Sequence, residues 1–126
     1  MSIGNVGQLA IDAILASTKA QFVTGLHHDA ILPMVGMDPL DLKSQRLMTA
    51  CELYKTDKAL IMQLRSGLAQ GTRDKFLEDL MGFIEKLKVG KVIVLGSTDS
   101  EERLDSQIRG PQLRFLASKA LKSDLE

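Results

Sequence analysis

The chain begins MSIGNVGQL, residues 1–9, in which Gly4 and Gly7 stand three positions apart just ahead of an apolar, helix-forming run. Two glycines in that place are typical of a strand-to-helix turn, since glycine permits a tight bend that other residues resist. Only three residues precede Gly4, so we expect that most of the preceding strand is missing from this sequence. A sheet edge left incomplete in that way would need cover from another chain or another segment.

The run that follows the turn predicts a helix over residues 5–19, with Asn5 as its N-cap. Its polar residues Gln8, Asp12 and Lys19 form one narrow stripe, and apolar residues cover almost all of the remaining surface. A helix that packs on one face of a sheet needs an apolar stripe of only about 100°. The wider apolar surface therefore predicts two covered sides. The helix is either a central core helix or one whose second side meets a partner subunit.

Composition limits the classes of function that the chain can serve. Its 126 residues fit one α/β domain over residues 1–126, and 44% of them are apolar, which favours a folded core over disorder. The 16 basic and 16 acidic side chains give a formal net charge of zero, and the chain has one Tyr and no Trp. A nucleic-acid binder needs phosphate-neutralising cations and aromatic stacking surfaces, so no nucleic-acid partner is predicted.

The chain has one cysteine, Cys51, so no internal disulfide can form, which fits a reducing compartment. No apolar run has the length of a membrane span, and no basic region precedes the first apolar run as in a signal peptide. We therefore expect no membrane partner and a cytoplasmic location, with the nucleus also open to the protein.

Periodicity and turn residues predict the remaining elements. The clearest is a helix over residues 72–88, whose apolar positions follow a 3.6-residue period, with Thr72 as its N-cap and Gly90 at its end. The predicted strands are 21–26, 47–54, 59–65, 91–96 and a short one at 113–116; residues 30–35 are extended, 37–39 form a turn, 38–46 a polar loop and 117–125 a weak terminal helix.

Two groups of these elements decide the predicted sheet. Strands 47–54 and 59–65 are joined by a short polar turn and form an antiparallel hairpin. Strand 59–65, helix 72–88 and the continuous apolar strand 91–96 form a right-handed βαβ unit, which requires parallel strands. The predicted fold class is therefore α/β with a mixed, mostly parallel sheet.

No sequence motif carries a strong phosphate-binding or metal-binding signature. The Gly4–Gly7 turn could hold a phosphate at a helix N-terminus, but it lacks the third glycine of a dinucleotide site and the Lys-Ser/Thr pair of a P-loop. His27 and His28 are neighbours that point to opposite faces of a strand, and Cys51 lies far away in the sequence. A zinc site needs three or four converging ligands, so none is indicated.

The polar loop 97–102 follows the apolar strand 91–96, at the strand end where ligands of open α/β sheets gather. Ser97 and Asp99 with a histidine could be drawn as a hydrolase triad, but no GxSxG elbow precedes a helix. We predict no catalytic residue, no cofactor and no metal. The alternative function is a small-molecule enzyme of phosphorylase or hydrolase type that uses the Gly4–Gly7 turn and the 97–102 loop around an anion.

Two groups of residues allow either a structural or a functional interpretation. Met34, Met37 and Met48 suit a core, and methionine is also favoured where a surface adapts to a partner. The charged run 101–103 and Arg109 suit a solvated surface, and they also suit the polar rim of an interface.

A series of short motifs runs in order along the chain from about residue 2 to residue 116. They are GNVGQLAID at 4–12, PMVG at 33–36 followed by Asp38 and Pro39, QLRS at 63–66, VIVL at 92–95 before a Ser-rich loop, Arg103, Asp105, Gln107 and Arg109 before Pro111, and RF at 114–115 with Leu116. Their order and spacing resemble the proteasome assembly chaperone 2 family, although no single motif is diagnostic.

The resemblance implies a non-catalytic chaperone that acts by binding alone. Members of this family pair with a sister chaperone, proteasome assembly chaperone 1, and the heterodimer binds proteasome α subunits to promote assembly of the α ring of the 20S core particle. The family fold is a three-layer α/β sandwich similar in outline to nucleoside phosphorylases, a likeness that carries no activity with it. The residues expected at a partner interface are Gln8, Ile11, Asp12, Leu15, Met34, Met37, Arg103 and Arg109.

This sequence departs from the family pattern at both ends. Members begin with a full strand before the glycine turn and continue well beyond the motif at 114–116. Related chaperones dock on the α ring through a C-terminal hydrophobic–Tyr–any tail. Residues 123–126 read SDLE and contain no tyrosine, so we do not expect docking by that route.

Overall fold

A computed structural model gives the structure of residues 2–38, 41, 43–99, 101, 103–110 and 112–122. Over these residues the chain forms a mixed α/β fold. Its helices are α1 (Val6–Thr18), α2 (Arg73–Lys86), α3 (Asp105–Ile108) and α4 (Lys119–Lys122), and its strands are β1 (Gln21–Gly25), β2 (Val35–Met37), β3 (Leu47–Thr49), β4 (Cys51–Lys55) and β5 (Leu60–Leu64). None of the helices described is long and apolar enough to cross a membrane.

A 3₁₀ turn, Ile3–Asn5, leads directly into α1. Gly4 and Asn5 have left-handed backbones, with φ of 62° and 56°, a region that glycine enters freely and asparagine tolerates. An N-cap residue normally has an extended backbone. Asn5 does occupy the N-cap position of α1, but it makes no side-chain capping bond, so only the predicted position is confirmed. Ser2 supplies a bond there instead, because its Oγ accepts a hydrogen bond from the Gly7 amide at 2.9 Å.

Helix α2 confirms the helix predicted over residues 72–88. Thr72 is its N-cap residue, as predicted, although the Thr72 hydroxyl donates to the Ala69 carbonyl oxygen at 2.8 Å and makes no capping bond to the helix. The other end differs from the prediction. The left-handed residue after the helix is Lys88, with φ of 53°, rather than Gly90.

The strands form two antiparallel sheets. Strands β1, β4 and β5 lie in that order with β4 in the centre, and β2 pairs with β3 in a separate two-stranded sheet. The predicted hairpin is confirmed in β4 and β5, where Cys51 lies opposite Leu64 and Lys55 lies opposite Leu60. Strand β1 confirms the strand predicted over residues 21–26 and pairs with β4 through an irregularity between Phe22 and Thr24.

The strand predicted over residues 47–54 is divided into β3 and β4, which belong to different sheets. The chain bends at Ala50. The Glu52 carboxylate turns back across the bend and accepts a hydrogen bond from the Thr49 amide at 3.0 Å. The bend lets the chain pair with β2 before Ala50 and with β1 and β5 after it.

The prediction of a mostly parallel sheet is wrong, because the three strand pairings among the described residues are all antiparallel. The apolar segment 91–96 is not a strand here, and neither is 113–116. A parallel strand needs a hydrogen-bonded neighbour, and no described strand pairs with segment 91–96. The predicted βαβ unit therefore does not form. The three-layer sandwich and the likeness to nucleoside phosphorylases are not confirmed.

Other predicted segments are found in part. Of the extended structure expected over residues 30–35, only Val35 belongs to a strand, as the first residue of β2, and Ile31 forms an isolated bridge with Leu68. Met37, expected in a turn, lies in β2, so that prediction is wrong. The terminal helix expected over 117–125 appears as α4. Some predicted features lie outside the described residues. These are Pro39 of the predicted turn, Glu102 of the charged run, Pro111 of the last motifs and residues 123–126.

The core is built mainly on the central strand. Its buried apolar side chains include Leu15 from α1, Cys51, Leu53 and Tyr54 from β4, and Phe76 from α2. Strand β4 is buried on both faces as far as Tyr54. The core also contains buried polar residues, and such residues need hydrogen-bond partners within the chain. These partners come from neighbouring parts of the chain and join α1 and the strands to one another.

Candidate interaction surfaces

The glycine turn at the start of the chain is closed by Ser97, which follows segment 91–96. Ser97 Oγ donates to the Ile3 carbonyl oxygen at 2.5 Å, and Ser2 Oγ lies 2.6 Å from Ser97 Oγ. Because the only hydroxyl proton of Ser97 goes to Ile3, Ser2 donates to Ser97 and uses its own oxygen to accept the Gly7 amide. These bonds fasten the end of the apolar segment to the beginning of α1.

Gly7 is required by this close approach. A Cβ at position 7 would lie 2.7 Å from the Leu95 carbonyl oxygen and 3.2 Å from the Gly96 Cα. An anion at the start of α1 would need the Gly7 amide, which is already bonded to Ser2. The turn and the beginning of the 97–102 loop do lie together, as the alternative enzyme requires, but their serine hydroxyls bond to each other.

Helix α1 is fixed to the sheet by a polar contact. Arg65 donates to both carboxylate oxygens of Asp12, at 3.0 and 2.6 Å. The buried Gln63 amide donates to Asp12 at 3.0 Å and to the Gln8 carbonyl oxygen at 2.9 Å. Burial by itself would lower the pKa of Arg65, but the hydrogen bond and the charge of Asp12 outweigh burial and raise it. Arg65 therefore stays charged and holds α1 in one register on β5.

Four of the residues expected at a partner interface lie on or beside the side of α1 that meets this sheet. Gln8 and Asp12 accept the hydrogen bonds described above, and Leu15 is only 1% exposed. Ile11 is partly buried beside them. Their part in binding a partner stays a prediction. In the structure, Gln8, Asp12 and Leu15 take part in the contact between α1 and the sheet of the same chain.

The other side of α1 carries apolar residues that the described part of the chain leaves uncovered. Val6, Leu9 and Ile14 are exposed and share that side by helical spacing. Sequence reasoning left open whether this side belongs to the core or to a partner interface. The sequence did contain a sign of which side of α1 faces the sheet. Gln63 and Arg65 are two polar residues at the end of an otherwise apolar strand, and they indicate that a polar group packs against that strand. That group is the polar stripe on α1.

A second exposed apolar surface lies on the two-stranded sheet. Val35 and Met37 project from β2, and Leu47 lies opposite Met37 on β3; all three are exposed. On the other face, Gly36 lies opposite Met48, and a Cβ at Gly36 would lie 3.0 Å from the Met48 Cε. Met37 is therefore placed at the surface. Gly36 leaves room for the Met48 side chain.

The remaining expected interface residues are Met34, Arg103 and Arg109. Met34 is partly buried, and Arg109 is exposed. Arg103 is partly buried and donates to Gln112 Oε1 at 2.5 Å. Among the described contacts, none brings Arg103 or Arg109 together with the expected residues on α1.

The most exposed apolar residues lie in two segments without regular structure. Residues 92–95 are between 41% and 86% exposed, and the apolar residues of 113–116 are between 81% and 99% exposed. Contiguous apolar residues at the surface are typical of sites where a protein binds another protein. Both segments were predicted as strands, and 91–96 was predicted to be a buried one.

The histidine and cysteine singled out in the sequence are engaged inside the chain. The Ala30 amide donates to His28 Nδ1 at 3.0 Å, so Nε2 carries the ring proton and donates to Asp79 Oδ2 at 3.0 Å. Burial, assisted by the charge of Glu52, raises the pKa of the Cys51 thiol to about 11. A thiol with that pKa is protonated near neutral pH and is a poor nucleophile. Among the described residues, no three His, Cys, Asp or Glu side chains group closely enough to hold a metal ion.

A polar network at the bend between β3 and β4 was not foreseen from the sequence. Arg46 donates to Asp38 at 3.0 Å and to Glu52 Oε1 at 2.7 Å, and its guanidinium lies 4.3 Å from the centre of the Phe22 ring. Tyr54 donates to Glu52 Oε2 at 2.7 Å. Each carboxylate has a partner, so the network stabilises the bend and offers no free general base.

Comparisons with known proteins agree with the motif resemblance. The PAC2 family matches residues 1–124 of the chain. The chain is 33% identical to proteasome assembly chaperone 2 of Xenopus tropicalis, over 99% of this chain and 50% of that protein. It is 32% identical to proteasome assembly chaperone 2 of Mus musculus, over 100% of this chain and 50% of that protein. The protein of that name from Nematostella vectensis is 34% identical, over 94% of this chain and 51% of its own length.

The chain thus spans about half the length of the curated relatives it matches. The family match extends over almost the whole chain and includes the glycine turn, the α1–β5 contact and both exposed apolar segments. The chain belongs to the PAC2 family.

Proposed function

We propose that this chain is a proteasome assembly chaperone that works by binding other proteins and catalyses no reaction. Relatives of about one-third identity bear the name proteasome assembly chaperone 2. The described surfaces fit a binding protein, because they expose apolar side chains and keep the Ser97 hydroxyl bonded within the chain. The alternative enzyme gains no support, since the hydroxyls of Ser2 and Ser97 are used in closing the turn.

The observation that carries the proposal is the exposed apolar segment 92–95, which Ser97 fastens to the start of α1. Removing apolar surface from water contributes about 25 cal/mol for each Å² buried. A segment that is already held at one end loses less conformational freedom when a partner covers it than a free tail would. Segment 92–95 is therefore suited to a protein interface.

Two kinds of partner belong to the proposal. The first is a sister chaperone, proteasome assembly chaperone 1, which would cover the exposed side of α1 and the neighbouring segment 92–95 as a heterodimer. The second is the set of proteasome α subunits, which another face would hold while the α ring of the 20S core particle is assembled. The exposed surface of Val35, Met37 and Leu47 is a suitable second face, because its strands are fixed by pairing.

The mechanism would be selective binding. A chaperone that covers the apolar surface of a free subunit favours the correct neighbour and blocks incorrect ones, and this requires no chemical step. The cytoplasmic location, extending to the nucleus, remains part of the proposal and is consistent with a single, reduced cysteine.

Co-purification tests the proposal. The tagged chain would be expressed in a cell that contains proteasomes and recovered after mild lysis, followed by mass spectrometry. We expect proteasome assembly chaperone 1 and α subunits with the wild type. Ile93→Asp with Val94→Asp should lose at least one of them, and Asp57→Lys in the β4–β5 turn should keep both. Recovery of the wild type without any α subunit or sister chaperone would contradict the proposal.

A further inference from the structure

A groove runs beside α2 and along the loop that follows β1. Two adjoining cavities form it, with volumes of about 170 and 490 Å³. They share four lining residues, which are Leu26, His27, His28 and Ile31. The smaller cavity lies under α2, and the larger one extends to Thr49 and Ala50 at the bend between β3 and β4. The two cavities are thus lobes of one groove.

The lobe under α2 is apolar. Its walls include Met62 and Cys51 from the sheet and Phe76, Leu80 and Phe83 from α2. A cavity of about 150 Å³ lined by apolar side chains can hold a benzene molecule. The lobe is therefore large enough for one apolar side chain, and its lining offers such a side chain no hydrogen-bond partner except at the rim.

The rim of the groove is acidic. Asp79 lines the apolar lobe and Asp29 lines the larger one. Lys75 Nζ lies 2.8 Å from Asp79 Oδ2, and Asp79 is the main cause of the raised pKa of Lys75, to which Glu78 and Asp29 also contribute. The two rim carboxylates, Asp29 and Asp79, thus outnumber the single ammonium group of Lys75, which leaves the rim negative.

His28 is bonded into this rim. Its Nδ1 accepts a hydrogen bond from the Ala30 amide, and its Nε2 lies 3.0 Å from Asp79 Oδ2. The ring also packs edge-to-face against Phe76, with centroids 5.2 Å apart. His28 therefore joins the acidic rim to the apolar lobe and fixes the position of the Asp79 carboxylate.

These features select one class of occupant. An acidic rim repels the phosphates of a nucleic acid or of an anionic lipid surface. An apolar lobe beside carboxylates fits an apolar side chain next to a basic one, the arrangement in which a buried anchor gives affinity and rim charges give selectivity. We propose that this groove binds an extended segment of a protein partner, with an apolar side chain in the lobe under α2 and a neighbouring Lys or Arg beside Asp29 and Asp79.

The inference rests on the proposed function, since it names the chemistry by which an assembly partner is held. Its test uses purified proteasome assembly chaperone 1 and each purified 20S α subunit as probes, with Kd measured by biolayer interferometry. Asp29→Lys changes an exposed loop residue and should not disturb the fold. Asp79→Asn removes the second rim charge. Glu85→Lys is the matched control, because it is exposed and helical spacing places it on the far side of α2 from Phe76 and Phe83.

We expect Asp29→Lys and Asp79→Asn each to weaken binding of at least one probe by about tenfold at low salt, with a smaller loss at high salt. Glu85→Lys should change every Kd by less than about twofold, as expected for a surface charge away from the contact. If the wild type binds a probe and the two groove variants bind it equally well, the groove proposal is overturned and the proposed function stands. If the wild type binds no probe, both are overturned.

A cross-linking experiment identifies the occupant. His27 is exposed and lines both lobes, so a photo-reactive benzoylphenylalanine in its place should react with the bound segment. Mass spectrometry of the complex should find a partner peptide in which an apolar residue adjoins Lys or Arg. A cross-link to an acidic segment, or to a second copy of this chain, would overturn the assignment.

Discussion

Asp12 on α1 and Arg65 just after β5 are joined by two hydrogen bonds, of 3.0 and 2.6 Å, across 53 positions of sequence. Arg65 is 9% exposed in its side chain and Asp12 is 21% exposed. The pair turns the polar stripe of α1 toward the sheet and leaves the apolar side with Val6 and Leu9 at the surface. It thereby decides which side of α1 lies at the surface.

Removing one member of this pair should destabilise the fold. Arg65→Ala leaves the Asp12 carboxylate without its guanidinium in a partly buried place, which typically costs about 3 kcal/mol. Urea unfolding of Arg65→Ala, Asp12→Ala and the double variant would give the coupling energy as well as the single losses. Asp57→Ala, in the exposed β4–β5 turn, should leave the urea concentration at the unfolding midpoint unchanged. If Arg65→Ala and the wild type unfold at the same urea concentration, the pair contributes nothing to the stability of the fold.

Two glycines in helices should respond to alanine in opposite directions. Gly7→Ala places a Cβ 2.7 Å from the Leu95 carbonyl oxygen, so the backbone must move, at a cost of about 1–3 kcal/mol. A Cβ at position 82 in α2 would have no atom within 4 Å. Gly82→Ala should therefore stabilise the fold by about 0.5–1 kcal/mol, because alanine loses less conformational freedom than glycine on entering a helix. Thermal melting of both variants checks this. A Gly7→Ala protein as stable as the wild type would mean that segment 95–97 does not lie against α1.

The Cys51 thiol predicts a dependence of stability on alkaline pH. Its pKa rises from an ordinary 9.0 to about 11 on folding, through burial first and the charge of Glu52 second. The folded state therefore keeps the thiol proton that the unfolded state loses. The resulting stabilisation is complete below pH 9 and declines by up to about 1.4 kcal/mol per pH unit as the pH rises toward 11.

Cys51→Ala isolates this effect, because other groups titrate in the same range. We expect the difference in unfolding free energy between wild type and Cys51→Ala to shrink between pH 9 and pH 11. We also expect slow alkylation of the native thiol at pH 8 and fast alkylation in urea. If the difference in unfolding free energy stayed constant from pH 9 to pH 11 and the native protein were alkylated rapidly, Cys51 would be neither buried nor raised in its pKa.

Inorganic phosphate should not bind at the start of α1. The Gly7 amide is bonded to Ser2 and the Ser97 hydroxyl to Ile3, so an anion would have to displace both. Differential scanning fluorimetry with phosphate and with nucleosides should give no shift beyond that of sulfate at equal ionic strength. A specific shift that Ser2→Ala alters would revive the enzyme as the better interpretation.

Much of the local structure could be predicted from the sequence. Helices α1 and α2 and the β4–β5 hairpin follow from apolar periodicity and turn residues. The structure has both helices within one or two residues of the predicted ends, whereas β4 begins four residues after the start of the predicted strand 47–54. These elements depend on neighbours in sequence, which a periodic pattern records. The geometric role predicted for glycine in the turn is confirmed at Gly7, where a Cβ would lie 2.7 Å from the Leu95 carbonyl oxygen.

The features that failed depend on contacts between distant residues. The bend at Ala50 is fixed by Glu52 folding back on Thr49 and by Arg46, and an alternating pattern contains no sign of it. The direction of the sheet was inferred from a buried strand at 91–96. Whether that apolar run becomes a strand depends on a neighbour that pairs with it, which its own residues do not specify. The same dependence explains why segment 91–96 was predicted to be buried.

The most direct test of the central claim is native mass spectrometry of purified components. The chain would be mixed at micromolar concentration with proteasome assembly chaperone 1 and with the set of 20S α subunits. Leu9→Asp, on the exposed side of α1, would be compared with the wild type at matched stability. The account predicts a stoichiometric complex of the wild type with the sister chaperone or an α subunit, and its loss in Leu9→Asp. A wild-type chain that is folded and stays uncomplexed with every component would contradict the account.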